Sequence, residues 1–407
     1  MRKTVNIYEK SNHFVNRKIS SFRISECNNI LYLEEKNKFG CKKEPIHKID
    51  KLFSSYLWNS EIKDLIRLEK YWEGIKAVDV LITPKCNLDC KVCYVKYGKE
   101  EFEEMSKENF KKILKLVKNA KIVLNGGEAT MREDLEEFIT LTIESGNYPV
   151  LYTNGAKISN LNYLRRLKKA GLEEVVISFN GFREEIYEKL RSGRQELRLV
   201  LKALKNLEKE KIRTSIYATI VKGINEDQIG PILDFAASHP FIWAVSFKPL
   251  YLGGIHPNLD LNESHLISYS ELLKLIEEKI EGVNLNYLFS LRNMLFNFQK
   301  YLAIKEKPVY LSWIEIPTLF VKREKRKFKP LLPSTIVKLL SKPLISPIFK
   351  YSMLSKNYIQ LDKLFYKLGI SKITLGTISP NIFNYLTASP TIVQINNKLM
   401  FSYYLAW

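Results

Sequence analysis

Between residues 78 and 247, six short apolar runs alternate with amphipathic stretches, and this alternation constrains the fold more than any other feature. The runs are Val78–Thr83, Lys121–Leu124, Pro149–Thr153, Glu174–Phe179, Thr214–Val221 and Trp243–Phe247. Helical periodicity is predicted between them over 105–119, 133–145, 160–170, 183–209 and 226–238. Strands that are continuously apolar, rather than alternating, belong to a parallel sheet covered by helices. Repeated βα units of this kind predict an α/β fold, a partial (β/α)6 TIM-like barrel, with a doubly wound open sheet as the competing arrangement. Either architecture puts functional groups in the loops after the C-terminal ends of the strands.

The unusual residues fall in those loops. Cys86, Cys90 and Cys93 follow the first strand, and Asn125-Gly126-Gly127-Glu128 follow the second. Asn154-Gly155 follow the third, Asn180-Gly181 the fourth and Gly223-Ile224-Asn225-Glu226 the fifth, with Lys248-Pro249 and Gly253-Gly254 after the sixth. Three domains are expected: a mixed N-terminal extension over 1–75, the barrel over 76–260, and a C-terminal extension over 261–407. Within the first, strands are expected at 22–25 and 30–33 and a helix over 49–72. The C-terminal extension is expected to be mostly helical, with helices at 265–281 and 285–304.

Charge is concentrated at one end. Lys and Arg number 64 against 44 Asp and Glu, giving a net charge of +20, and residues 321–407 alone hold 14 basic and 2 acidic residues. That tail also carries 12 aromatics, a combination suited to an anionic membrane surface or, as the less favoured partner, a nucleic acid. No run is apolar enough to span a bilayer and no secretory leader is apparent, so a cytoplasmic protein with peripheral membrane contact is expected.

Five cysteines are too few for a disulfide scaffold in a chain of 407 residues, and three of them sit in a CxxxCxxC spacing. Structural zinc commonly uses two CxxC pairs, and no second pair is present. Three thiolates on one loop suit an iron–sulfur cubane that leaves one iron open to a small molecule. Of the five histidines only His256, after Gly253-Gly254, lies at the functional end of the strands.

The CxxxCxxC loop, Gly126-Gly127-Glu128 and the βα units together resemble the radical S-adenosylmethionine (radical SAM) superfamily over residues 76–255. The resemblance implies a [4Fe–4S] cluster on Cys86, Cys90 and Cys93, with SAM chelating the open iron. It implies reductive cleavage of SAM to a 5′-deoxyadenosyl radical, which takes a hydrogen atom from the substrate. It places Gly126, Gly127 and Glu128 at the methionine ammonium, Ser178 and Asn180 at the ribose or carboxylate, and Thr153 and Asn154 along the same cavity. Val221 matches a position that packs on adenine, in a segment ending at Glu226. A reductant such as ferredoxin or flavodoxin is implied as a partner. No catalytic residue beyond the cofactor contacts is singled out.

Three segments, 219–226, 228–236 and 245–250, are most similar to the archaeal tetraether lipid synthase branch, whose extra cysteine clusters this chain lacks. A lipid-like substrate is therefore expected. A peptide- or RNA-modifying enzyme, or a non-catalytic iron–sulfur or SAM-binding module, are the alternatives.

Overall fold

A computed structural model describes residues 3–7, 21–27, 30–37, 40–48, 77–93, 102–250, 258–284, 286–288, 290–291, 318–340, 363, 365–374, 391–395 and 398–401. The N-terminal strands β1 (Lys3–Ile7), β2 (Ser21–Cys27), β3 (Ile30–Asn37) and β4 (Gly40–Lys48) form an antiparallel meander. The helix expected over 49–72 lies outside the described residues, as do Gly253, Gly254 and His256.

The six expected barrel strands are all present: β5 (Ala77–Thr83), β6 (Lys121–Gly126), β7 (Tyr148–Thr153), β8 (Glu174–Ser178), β9 (Arg213–Ile220) and β10 (Ile242–Pro249). They pair in parallel in sequence order. Helices α1 (Lys107–Leu116), α2 (Leu135–Glu144), α3 (Leu161–Lys169), α4 (Glu184–Leu190), α5 (Gln195–Lys209) and α6 (Ile229–Ser238) lie between them. The stretch 183–209 is thus two helices, because Arg191-Ser192-Gly193-Arg194 breaks it and Gly193 has φ +154°. α7 (Tyr269–Glu277) starts at Ser268 with a reciprocal capping box to Glu271.

Burial shows how the sheet is layered. Val78, Val80 and Ile82 of β5 are fully buried, while at the alternate positions Ala77 and Asp79 are only half-buried and Leu81 and Thr83 are buried. Side chains alternate across a strand, so the first set faces the helices and the second faces the other side of the sheet. The helix-facing layer includes Ile122, Leu124, Leu151, Val175, Ile177, Ile216 and Val245, packed under residues such as Phe110 of α1 and Phe138 of α2, whose rings are 4.5 Å apart. Each such aliphatic side chain contributes about 1.5–3 kcal/mol by leaving water, which fixes the helices on that face.

The other face curls inward. β5 and β10 are five places apart in the strand order. A flat sheet would separate them by about 24 Å at ordinary strand spacing. Yet Asp79 of β5 is electrostatically coupled to Lys248 of β10 and to Tyr217 of β9. The sheet therefore bends into an arc whose two ends face each other across a lumen. This is the partial barrel that the βα pattern predicts, a mixed α/β fold with a mostly parallel sheet.

The C-terminal extension differs from the expectation. Its described residues past 317 form five strands, β11 (Thr318–Glu324), β12 (Lys327–Pro330), β13 (Ile370–Thr374), β14 (Thr391–Ile395) and β15 (Lys398–Phe401), with helix α8 (Ser334–Leu340) and further helical residues at 363 and 365–367. It is not mostly helical there. β13 pairs with β10, followed by β11 and β12, and β14 pairs with β5, followed by β15, so the tail lengthens both edges of the same sheet. Its runs Thr318-Leu319-Phe320-Val321 and Thr391-Ile392-Val393 are β-branched and aromatic, and sheet edges offer unpaired backbone groups that only a strand can satisfy. Most of the helix expected at 285–304 lies outside the described residues.

Candidate active site

Everything distinctive in the barrel loops gathers at the C-terminal ends of β5–β10. The chain leaves β5 at Thr83 and enters the cysteine loop. None of the three cysteines is in a disulfide; Cys86 is exposed and Cys90 and Cys93 are half-buried. The loop is anchored along its length. Val92 N donates to Leu190 O at 3.0 Å, Lys91 Nζ to Glu188 O at 2.9 Å, and Asp89 N to the Ser192 hydroxyl. The break between α4 and α5 is therefore the seat of the cysteine loop, which explains why a helix is interrupted there.

Burial pushes the Cys86 and Cys90 thiols up, Cys90 to about 12, while the Arg191 guanidinium pulls both down. Arg191 is buried and ion-paired to Glu196 at 2.7 Å. The three sulfurs are close enough to act on one another electrostatically, and Glu128 acts on Cys86. Among the described residues, no three His, Cys, Asp or Glu side chains are already drawn together to hold a metal ion. The donor set itself, three soft sulfur ligands on one anchored loop, fits a cluster held by three thiolates, and drawing them together is left to the cluster.

The two glycines act on this loop through the backbone. Gly127 N donates to Thr83 O and Glu128 N to Lys85 O, both at 2.8 Å. A Cβ on Gly126 would lie 2.2 Å from Thr83 O, and one on Gly127 would lie 2.5 Å from Pro84 O. Only glycine lets the end of β6 run this close to the root of the cysteine loop.

The Glu128 side chain is engaged within the protein. Its carboxylate is buried; Oε1 accepts from Thr130 Oγ1 and Thr153 Oγ1, each at 2.6 Å, and Oε2 accepts from Asn154 N at 2.7 Å. It thus ties the end of β7 to the Gly-Gly segment. Asn154 carries the link onward, donating from Nδ2 to Asn87 Oδ1 in the cysteine loop at 2.8 Å. Glu128, Thr153 and Asn154 form one network that ends on the cysteine loop.

Asn180 and Val221 belong to a second network. Asn180 Oδ1 accepts from Thr219 N at 3.2 Å. Asn225, fully buried, donates to Asn180 O at 3.0 Å and to Thr219 O at 2.8 Å, and accepts from Val221 N at 2.8 Å. Val221 is fully buried, and Glu226 accepts from Gly223 N at 2.8 Å within its own turn. Asn225 is the organiser, a residue that the sequence placed in the loop after the fifth strand without a role of its own. Ser178 joins neither network: it stands beside Tyr152 on the lumen wall.

Of the lumen wall, Asn125, Ser178 and Lys248 stood out in the sequence, whereas Asp79, Tyr152, Tyr217 and Ser246 did not. The wall presents Asp79, Asn125, Tyr152, Ser178, Tyr217, Ser246 and Lys248 from all six strands. Asn125 Nδ2 donates to Asp79 Oδ2 at 3.3 Å, while Asp79 Oδ1 is sealed from solvent with no hydrogen-bond partner. Lys248 Nζ lies 4.3 Å from the centre of the Tyr217 ring, which meets Tyr152 edge-on at 5.4 Å. Burial raises the Asp79 carboxyl to about 6 against the opposing pull of Asn125 and Lys248, and burial lowers the Lys248 ammonium to about 8 against Asp79. The sequence signal was available: a charged residue inside an otherwise apolar strand, twice.

Residues 80–236 match the family model described as "Radical SAM superfamily". Among curated proteins, the chain is 32% identical over 210 residues to the 7,8-dihydro-6-hydroxymethylpterin dimethyltransferase of Methanocaldococcus jannaschii, covering 49% of this chain and 41% of that one. It is 32% identical over 191 residues to the Fe-coproporphyrin III synthase of Methanosarcina barkeri (45% and 47% covered). It is 28% identical over 215 residues to a GTP 3′,8-cyclase of Clostridium botulinum (51% and 65% covered). The chain thus spans between 41% and 65% of the length of these relatives. Among solved structures, Streptococcus suis SuiB bound to S-adenosylmethionine matches at 15% identity and a TM-score of 0.39 over 62% of this chain and 68% of that one. Six parallel strands, a three-cysteine loop after the first and a Gly-Gly-Glu segment after the second are joined in one domain, and over residues 80–236 this chain carries a radical SAM domain.

Proposed function

We propose that this chain is a radical SAM enzyme that uses Cys86, Cys90 and Cys93 to hold a [4Fe–4S] cluster and the adjoining loops to hold SAM. Once bound and supplied with one electron, cluster and SAM would provide a 5′-deoxyadenosyl radical, with methionine as the other product, to take a hydrogen atom from the substrate. The observation that carries this reading is the hydrogen-bonded path from Glu128 through Asn154 to Asn87, which locks the Gly-Gly segment, β7 and the cysteine loop into one unit.

The chain's own residues divide the work. With the N–H groups of Gly127 and Glu128 spent on the cysteine-loop root, the carbonyl oxygens of Gly126 and Gly127 serve as acceptors for the SAM ammonium. Glu128, Thr153 and Asn154 are positioning residues, their polar atoms already engaged in the network. Asn180 and Val221 support the end of β9 through Asn225. The lumen below holds the substrate, and the buried wall keeps bulk water from a reactive radical. An external reductant such as ferredoxin or flavodoxin supplies the electron. The exposed Lys325, Arg326, Lys327 and Lys329 in the β11–β12 hairpin offer a surface to an anionic membrane.

Anaerobic reconstitution tests the reading. About four irons per chain and 5′-deoxyadenosine on addition of SAM and dithionite are expected. Cys90→Ala should lose both; 5′-deoxyadenosine formed undiminished by that variant would overturn the assignment.

A further inference from the structure

The lumen separates two charges that elsewhere in this protein would touch. Asp79 stands on β5 and Lys248 on β10, the two ends of the six-strand arc, and they face each other across the opening. Asp79 keeps one oxygen, Oδ1, with no hydrogen-bond partner. The ammonium of Lys248 rests over the Tyr217 ring at 4.3 Å instead of on the carboxylate. Asp79, Tyr152, Ser178, Tyr217 and Lys248 are each only half-buried although they line the middle of the domain, so part of each side chain faces open space while Asp79 Oδ1 itself is sealed.

A buried polar atom without a partner costs about 1–3 kcal/mol, and such a cost persists in a site when a ligand relieves it. A carboxylate and an ammonium held apart complement a molecule that carries the opposite polarity at each of its ends. An alkyl chain would strand both charges in an apolar surrounding, which is the costlier arrangement.

On the reading that the lumen is the substrate chamber, we propose that it takes a small polar substrate spanning Asp79 and Lys248. The substrate presents an N–H donor, either an amine or a ring or amide N–H, to the Asp79 carboxylate, and an acidic group, carboxylate or phosphate, to Lys248 Nζ. Tyr152 and Tyr217 form the wall on which its body lies. Free amino acids and nucleotides share this chemistry. The lumen is thereby set against a lipid-like substrate whose reacting chain would have to lie between the two charges.

The test is equilibrium binding to the reconstituted full chain by isothermal titration calorimetry, which does not depend on SAM cleavage. The probes are the twenty L-amino acids, the nucleoside 5′-mono- and triphosphates, and, as the apolar arm, lauric acid and sonicated dioleoylphosphatidylglycerol vesicles. At least one polar probe should bind. Asp79→Asn and Lys248→Met should each weaken it about tenfold or more, as expected for loss of a charge-assisted hydrogen bond, with Lys248→Arg retaining most of the affinity. The amino-acid and nucleotide arms tell the two sources apart. Circular dichroism melts of the same variants show that each is folded. Binding by the apolar probes alone, binding by none, or a polar probe indifferent to both substitutions overturns the proposal. If polar probes bind as expected but no 5′-deoxyadenosine forms on reduction, the proposed enzymatic reading fails and this one stands; the reverse pattern overturns only this one.

Discussion

The barrel lumen contains two polar layers built from the same residue types and arranged in opposite ways. Near the N-terminal ends of the strands, Lys121 of β6 meets Glu174 of β8 at 3.1 Å, and Arg213 of β9 bonds the same carboxylate. Lys121 and Arg213 lie 5.0 Å from the Trp243 ring centre on either count, and Lys372 of β13 lies 4.7 Å from it. Lys121, Glu174, Arg213 and Trp243 are all at least nine-tenths buried. This layer is a floor closed around its carboxylate, although Arg213 Nη1 and Trp243 Nε1 are buried there without partners. Farther along the strands, Asp79 and Lys248 keep their charges apart, on side chains that are each half-buried. The difference teaches that charge in a barrel interior is not itself a functional mark. A buried carboxylate in direct contact with two cations has nothing left to offer a ligand, whereas one with an empty acceptor position has.

Breaking the floor should give the largest effect. Burial alone would raise the Glu174 carboxyl, but Lys121 and Arg213 outweigh it and hold it at about 2. Glu174→Gln leaves two buried cations without their counter-charge and should cost about 3–5 kcal/mol in urea denaturation at pH 7. The pH dependence follows from the sign of the shift. A carboxyl held below its unfolded value of 4.5 contributes stability above that pH, and the contribution is lost as pH falls toward about 2. The gap between wild type and Glu174→Gln should therefore narrow between pH 4.5 and 2; a gap independent of pH would show that the floor is not held by charge.

Next comes the link between the upper layer and the cysteine loop. Gly126→Ala drives a Cβ to 2.2 Å from Thr83 O at a φ of +149°, so backbone must move. A loss of about 1–3 kcal/mol is expected, together with reduced iron uptake on reconstitution. Full iron content in a variant that is as stable as wild type would show that the close approach is dispensable.

The smallest effect has the opposite sign and sharpens the contrast most. Asp79 has a folded pKa of about 6 against an ordinary 3.8, so its charge opposes folding above pH 6 and costs nothing below pH 3.8. Asp79→Asn should thus stabilise the protein by about 1 kcal/mol at pH 8, with the gain fading by pH 4. Destabilisation at pH 8 would mean that Asp79 is a structural ion like Glu174.

How much of this was legible beforehand depends on what kind of information each part required. The βα alternation exposed the parallel sheet and the loops that carry the site, because continuous apolar runs and helical periodicity are local patterns. The cysteine spacing was legible for the same reason. What was not legible is relational. Nothing near Glu128 in sequence says that Thr153 and Asn154, a strand away, will consume its oxygens. Asp79 and Lys248 are 169 positions apart, and only the curl of the sheet makes them neighbours. The tail was misread because its prolines and charges hide short edge strands, whose stability comes from the sheet they join.

That joining has a consequence for how the protein comes into being. The outer edge of β5 is completed by Thr391 and Ile392, and Thr391 pairs with Asp79 itself. During synthesis, more than three hundred residues must follow Asp79 before its strand acquires its second neighbour. Until then the nascent barrel presents open backbone on the very strand that carries the lumen carboxylate, a surface that invites pairing with other chains. The strand that seals the first wall of the chamber is thus made long after that wall, and the chamber is closed by a segment more than three hundred residues away in sequence.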